Sequence, residues 1–261
     1  MKSVDIAAVL ESFSPVSVSD EYCARYGAYD NSGILVDSGD DATGVLFSLD
    51  FSSAAIAAAQ KAGANVIVTH HPAIYGKIGN ILASDPLGAR LQRAIKGGIS
   101  VISMHLNFDC AKDGIDEWLM RAVGGEEGII CQPLSKEGFG YGRVYEVEET
   151  GAAALAERIK GTLSTSRVWC YGGEKPVQKV ASFCGAGADE ETLSLAKKHG
   201  ADCIVSADCK HHIVTAAREA GLAVVQTTHY ASENYGFEKI YEGLRGRLGV
   251  KSGFFTDRSL L

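Results

Sequence analysis

Short apolar runs, many of them β-branched, recur along this chain between glycine or polar residues, and the stretches separating them return apolar positions at helical spacing. The runs GVLFSL (44–49), NVIVT (65–69), ISVISM (99–104), GRVYEV (142–147), VQKVASF (177–183), CIVS (203–206) and LAVVQT (222–227) predict strands. Stretches near 3–12, 52–62, 86–96, 115–123, 152–162, 190–198, 211–219 and 233–247 predict helices, several with Ser or Asp ahead of the first turn. Alternation of short helices with apolar strands predicts an α/β fold, its sheet covered by helices on both faces.

The pattern also repeats. AGANVIVT (62–69) echoes HGADCIVS (199–206), and GGISVISM (97–104) echoes AGLAVVQT (220–227), each a Gly-led strand running into a polar junction. Two similar α/β lobes in a three-layer α/β/α arrangement are therefore expected, residues 1–130 and 131–261, with the C-terminal segment able to pack back on the first lobe. The Gly-rich stretch 125–142 is the expected connection. Ligands of open α/β sheets bind beyond the carboxyl ends of the strands, so facing lobes would gather their polar junctions, and a metal site, into one crevice.

Composition narrows the function classes. The 261 residues carry a formal charge of −7, which argues against a broad nucleic-acid surface, since a phosphate backbone is bound by clustered Lys and Arg. Asp5 and Glu11 interrupt the N-terminal stretch where a signal peptide needs apolar residues, and no run approaches a membrane span, so a cytoplasmic protein is expected. Seven cysteines without a C-x-x-C pair read as reduced thiols rather than a disulfide framework or zinc ribbon. Cys110 and Cys209, each beside an Asp, are expected to pack as small hydrophobes.

Chemistry concentrates at four junctions: THHP (69–72), HLNFD (105–109), DCKHH (208–212) and THYASE (228–233) hold six of the seven histidines. A parallel sheet delivers residues just beyond its strand ends to one edge. His70 and His71 would point oppositely in an extended chain, and so would serve two ions side by side rather than share one. His229 and Glu233 stand four apart at a probable helix start, hence on one face, and an intrahelical pair is the plainer alternative. Asp109 has two oxygens that could bridge cations, or it caps the following helix, a role for which Asp113 is better placed. His199, in KKHG, reads as a helix C-terminal residue interacting with the dipole. Imidazole with carboxylate suits Zn, Mn, Fe or Ni. The turn CGAGADEE (184–191) has the form of a phosphate cradle, but Asp189 and Glu190 would repel a phosphate, and a plain strand-to-helix turn is the stronger reading.

Together THHP, the H-x-N-x-D of His105, Asn107 and Asp109, the D-x-K-x-H of Asp208, Lys210 and His212, and THYASE resemble the signature of the NGG-interacting-factor-three-like proteins. YDNSGILVD (29–37) and CGAGA (184–188) extend the resemblance over nearly the whole chain. It implies a two-lobed α/β protein of the compact form, without the domain inserted in longer relatives, assembled as a ring-shaped homohexamer. It also implies two divalent cations per chain, held by His70, His71, Asp109, His229 and Glu233. Departures are Ala207 and Thr228, where the family usually has Gly, and His211, where it usually has Tyr; none removes a ligand, and His211 adds an imidazole near the proposed site.

The resemblance implies a metal-dependent hydrolase of the kind named GTP cyclohydrolase I type 2 homologue, acting on a small molecule such as a nucleotide or phosphate ester. Two cations can acidify a water and clamp an anionic transition state. His105 and His212, close in sequence to the proposed ligands, are the candidate proton shuttles. A non-catalytic metal-binding or adaptor hexamer is the alternative.

Overall fold

The computed structural model describes residues 1–261 and is a mixed α/β structure with two sheets and ten α-helices. It divides into two compact units. One comprises Met1–Phe108 and Phe237–Asp257, the other Asp109–Gly236 and Arg258–Leu261.

In the first unit, β1 (Gly33–Val36), β2 (Val45–Ser48), β3 (Val66–Thr69), β4 (Ser100–Ser103) and β11 (Ser252–Phe255) form a sheet in the order β1-β4-β3-β2-β11. Neighbours among β11, β2, β3 and β4 pair in parallel, and β1 lies antiparallel on the β4 edge. Every residue of β2, β3 and β4 is buried, which is why these strands read as unbroken apolar runs rather than alternating ones. The core gathers Leu46, Ile56, Ile67, Leu91, Ile99 and Val101. Of the unit's helices, α1 spans Ser3–Glu11 and α2 Val16–Tyr26. Next, α3 (Ser53–Ala62) starts where Ser52 Oγ accepts the Ala55 amide at 3.0 Å and stops at left-handed Gly63, and α4 (Pro86–Lys96) is capped by Asp85 with Pro at its first position. Ser48, Thr69 and Ser103 share one register across β2, β3 and β4. Asp50, His70, His71 and His105 therefore leave the sheet at one edge.

The short helix α5 (Leu106–Asp109) ends on the first residue of the second unit. Its sheet contains β5 (Gly128–Pro133), β6 (Gly140–Gly151), β7 (Trp169–Tyr171), β8 (Pro176–Ser182), β9 (Cys203–Ala207) and β10 (Ala223–Thr227), in the order β5-β6-β8-β9-β10-β7. Parallel pairing is confined to β8, β9 and β10, and these again end at one edge, where Cys184, Asp208 and His229 follow them. The helices are α6 (Ile115–Val123), α7 (Ala152–Thr162), α8 (Glu190–Lys198) and α9 (His211–Glu219), and α10 (His229–Leu244) begins in this unit and ends in the first, which also holds a 3₁₀ turn at Arg245–Arg247.

All seven predicted strands and eight predicted helices are present, while β1, β5, β7, β11, α2 and α5 were not foreseen. The Gly-rich stretch 125–142, expected as a connection, forms β5 and the start of β6. No helix is long and apolar enough to cross a membrane.

Candidate metal centre

In the first unit β3 ends at Thr69, and the chain turns at once: the amides of His70 and His71 both donate to the Leu49 carbonyl, at 3.2 and 3.0 Å. This turn overrides the expectation that strand alternation sends the two rings apart. Their centroids are 5.0 Å apart, His105 stands 5.1 and 5.8 Å from them, and one ring nitrogen from each of the three lies within 4.8 Å of the others. Thr69 Oγ1 donates to the His71 carbonyl at 2.8 Å, and Ser103 Oγ accepts the Ala73 amide at 3.1 Å, fastening the turn to the sheet.

Each ring has its Nδ1 against an acceptor. His70 Nδ1 meets the Met104 carbonyl at 3.0 Å, His71 Nδ1 meets Asp50 Oδ1 at 2.7 Å, and His105 Nδ1 meets Asp30 Oδ1 at 2.8 Å. A carbonyl or carboxylate there draws the imidazole proton to Nδ1, so the neutral ring presents the Nε2 lone pair, the form in which histidine binds metal. Asp30 belongs to the YDNSG stretch. Burial pushes its pKa up, but hydrogen bonds from His105, Ser19 and Ser32, with the positive charge that His105 carries when protonated, outweigh burial and hold it at about 2. Asn107, central in H-x-N-x-D, is buried and structural: its Nδ2 donates to the Ser14 carbonyl at 2.8 Å, and Ser14 Oγ donates back to its carbonyl at 2.6 Å.

In the second unit α10 begins at His229 after Thr228, whose Oγ1 accepts the Ala231 amide at 3.0 Å, so the threonine in place of glycine serves as a helix cap. His229 Nδ1 meets Asp208 Oδ2 at 2.7 Å, while Nε2 stands 3.1 Å from Oε1 of buried Glu233. With a proton on Nδ1, Nε2 turns a lone pair toward a carboxylate oxygen. Two acceptors this close repel unless a proton or cation lies against both, so the donor set fits a divalent cation.

The CGAGA turn closes against this pair. Gly185 has φ +58°, and a Cβ there would fall 2.2 Å from Glu233 Oε1 and 3.1 Å from His229 Nε2, so glycine is required. Its amide donates to Ser232 Oγ at 3.0 Å, and Ser232 Oγ donates to the His229 carbonyl at 2.7 Å. Asp189 accepts the Thr192 amide at 2.8 Å in a capping box for α8, so the turn is the plain strand-to-helix turn expected, with Gly185 packed beneath His229 and Glu233. Cys184 Sγ donates to Asp109 Oδ1 at 3.3 Å, and burial, with Asp109, Asp116 and Glu233 nearby, pushes this thiol's pKa well up. Asp109 does not cap α6, whose N-cap position is Gly114 and which has no side-chain cap.

His211 and His212 lie exposed in the first turn of α9, where His212 Nε2 pairs with Glu190 Oε1 at 3.2 Å, turned to another helix rather than to His229. All seven cysteines are free. Cys110 is fully buried, and burial followed by Asp208 pushes Cys209 up to about 11, so both pack as thiols. Asp50, Cys184 and Gly185 received no role from sequence, although Asp50 follows its strand much as His70 follows β3.

A family model described as Duf34/NIF3 (NGG1p interacting factor 3) matches residues 1–257. This chain belongs to the DUF34/NIF3 family. Among DUF34/NIF3 relatives, the GTP cyclohydrolase 1 type 2 homolog of Clostridium perfringens is 32% identical over 264 residues, 99% of this chain and 97% of that one. The GTP cyclohydrolase 1 type 2 of Helicobacter pylori is 28% identical over 230 residues, 88% of this chain and 86% of that one. The fold matches a Bacillus cereus protein related to NIF3 with a TM-score of 0.85 at 19% identity, over 98% of this chain and 97% of that one.

Proposed function

We propose that this DUF34/NIF3 chain is a metal-dependent hydrolase that holds two divalent cations through His70, His71, Asp109, His229 and Glu233. The observation that carries this reading is the common arrangement of the four histidines His70, His71, His105 and His229, each with Nδ1 against an acceptor, which in the neutral ring leaves the Nε2 lone pair available to a cation. Cations held there would supply an acidified water and a positive clamp for an anionic transition state. His105 is the proton carrier. Asp30 stays anionic down to about pH 2 and steadies the ring at Nδ1, leaving Nε2 to take up and return a proton beside His70 and His71. His212, paired with Glu190, is the lesser candidate for that role.

The names of the Clostridium perfringens and Helicobacter pylori relatives support a purine nucleotide as substrate, within a wider class of phosphate esters. We read the chain as a homohexamer, which the family resemblance implies, and as a cytoplasmic protein. The test is to purify the chain without added metal, measure metal per chain, and assay formate and phosphate release from GTP and simple esters, beside Asp109→Ala. Two cations per chain, with release that disappears in Asp109→Ala, is the expected result. Two cations without turnover of any ester would leave a metal-binding adaptor, and a chain that takes up no divalent ion would remove the centre.

A further inference from the structure

Cys184, two residues beyond the end of β8, touches three parts of the second unit at once. It is buried, its amide donates to Asp116 Oδ1 at 3.1 Å, and its carbonyl accepts the Tyr141 hydroxyl. Asp116 is itself held by the buried guanidinium of Arg143, with Nη1 3.3 Å from Oδ2. One residue on, the Gly185 carbonyl accepts the Ala207 amide at 3.0 Å. The backbone that carries the thiol is thus pinned on both sides by groups that belong to no proposed ligand, and Sγ is left 3.3 Å from Asp109 Oδ1.

We infer that Cys184 is a positioning residue: by donating its thiol hydrogen to Oδ1 it fixes the rotation of the Asp109 carboxylate and decides which oxygen turns to a cation. The inference rests on the metal reading above. A thiol is a weak donor with a long reach, suited to orienting a carboxylate without competing strongly for its charge. Serine preserves a donor at nearly the same place, and alanine removes it. Outer partners of ligating carboxylates typically change metal affinity by about 10- to 100-fold when lost.

Metal-free wild-type protein, Cys184→Ser and Cys184→Ala would each be titrated with Co²⁺, reading uptake per chain and visible absorption, with metal-free folding compared by circular dichroism. The expected result is Co²⁺ affinity in Cys184→Ser within about threefold of wild type, and a loss of about tenfold or more in Cys184→Ala. Equal affinity in all three proteins overturns the inference while leaving the metal reading intact, and so does equal weakening of Ser and Ala. A sulfur-to-cobalt charge-transfer band in wild type that Cys184→Ser lacks overturns it too, by making the thiol a ligand. A wild-type chain that takes up no Co²⁺ removes the metal reading and this inference together. Infrared spectra give a readout free of any variant at 184: Asp109→Ala should move a hydrogen-bonded S–H stretch to higher frequency, and an unchanged thiol spectrum refutes the contact.

Discussion

His105 takes its orientation from Asp30, seventy-five residues earlier, and that pairing makes the acid limb of stability informative. Asp30 has a folded pKa of about 2 against an ordinary 3.8. A depressed carboxylate contributes stability that is present above the unfolded value and lost as pH falls through the folded one. Unfolding midpoints of wild type should therefore fall between about pH 4 and pH 2, and Asp30→Asn should be less stable at neutral pH with a flatter acid limb. Parallel pH profiles for the two proteins would contradict the pairing. At this scale the clustered histidines and carboxylates were legible because imidazole and carboxylate at strand ends are rare enough to notice. Their partners Asp50 and Asp208 were not assigned, because sheet neighbours choose them: Asp50 lies twenty-one residues from His71, and Asp208 the same distance from His229.

Among elements, the strands that escaped the pattern have one property in common. β1, β11, β5 and β7 are the four sheet edges, and none is buried throughout. An edge strand needs no continuous apolar run, so hydropathy has little to detect there. α2 was hidden differently: VSVS at its start alternates like a strand, and β-branched valine is a modest helix former, but Val18 and Tyr22, four apart, are both buried on one face. The turn between β8 and α8 divides its work, with Cys184 against Asp109, Gly185 against His229 and Glu233, and Asp189 on the helix. Asp189→Ala should cost about 1 kcal/mol of stability by chemical denaturation and leave metal content unchanged. Metal loss in that variant would show that the cap and the ligand support are not separate.

For the whole molecule the charge balance matters most. The chain carries −7 formally, a total that includes Asp109 and Glu233, both buried, and a buried carboxylate favours a cation close by. Metal that binds only the folded chain raises stability by about 2.7 kcal/mol when present at 100 times its dissociation constant. Chelator should accordingly lower the unfolding midpoint of protein purified with its metal, and readdition should restore it; a midpoint indifferent to both would argue against folded-state binding. One detail of the parallel strands has a wider use. β2, β3, β4, β8 and β10 each close on Ser or Thr; Ser48 and Thr69 reach backbone of the turn just beyond, at the Asp50 and His71 carbonyls, and Ser103 accepts the Ala73 amide of the turn after the neighbouring β3. An apolar strand that finishes on a hydroxyl residue therefore acts as a signpost, marking in an unfamiliar chain which end of the sheet is prepared for chemistry before any ligand residue has been recognised.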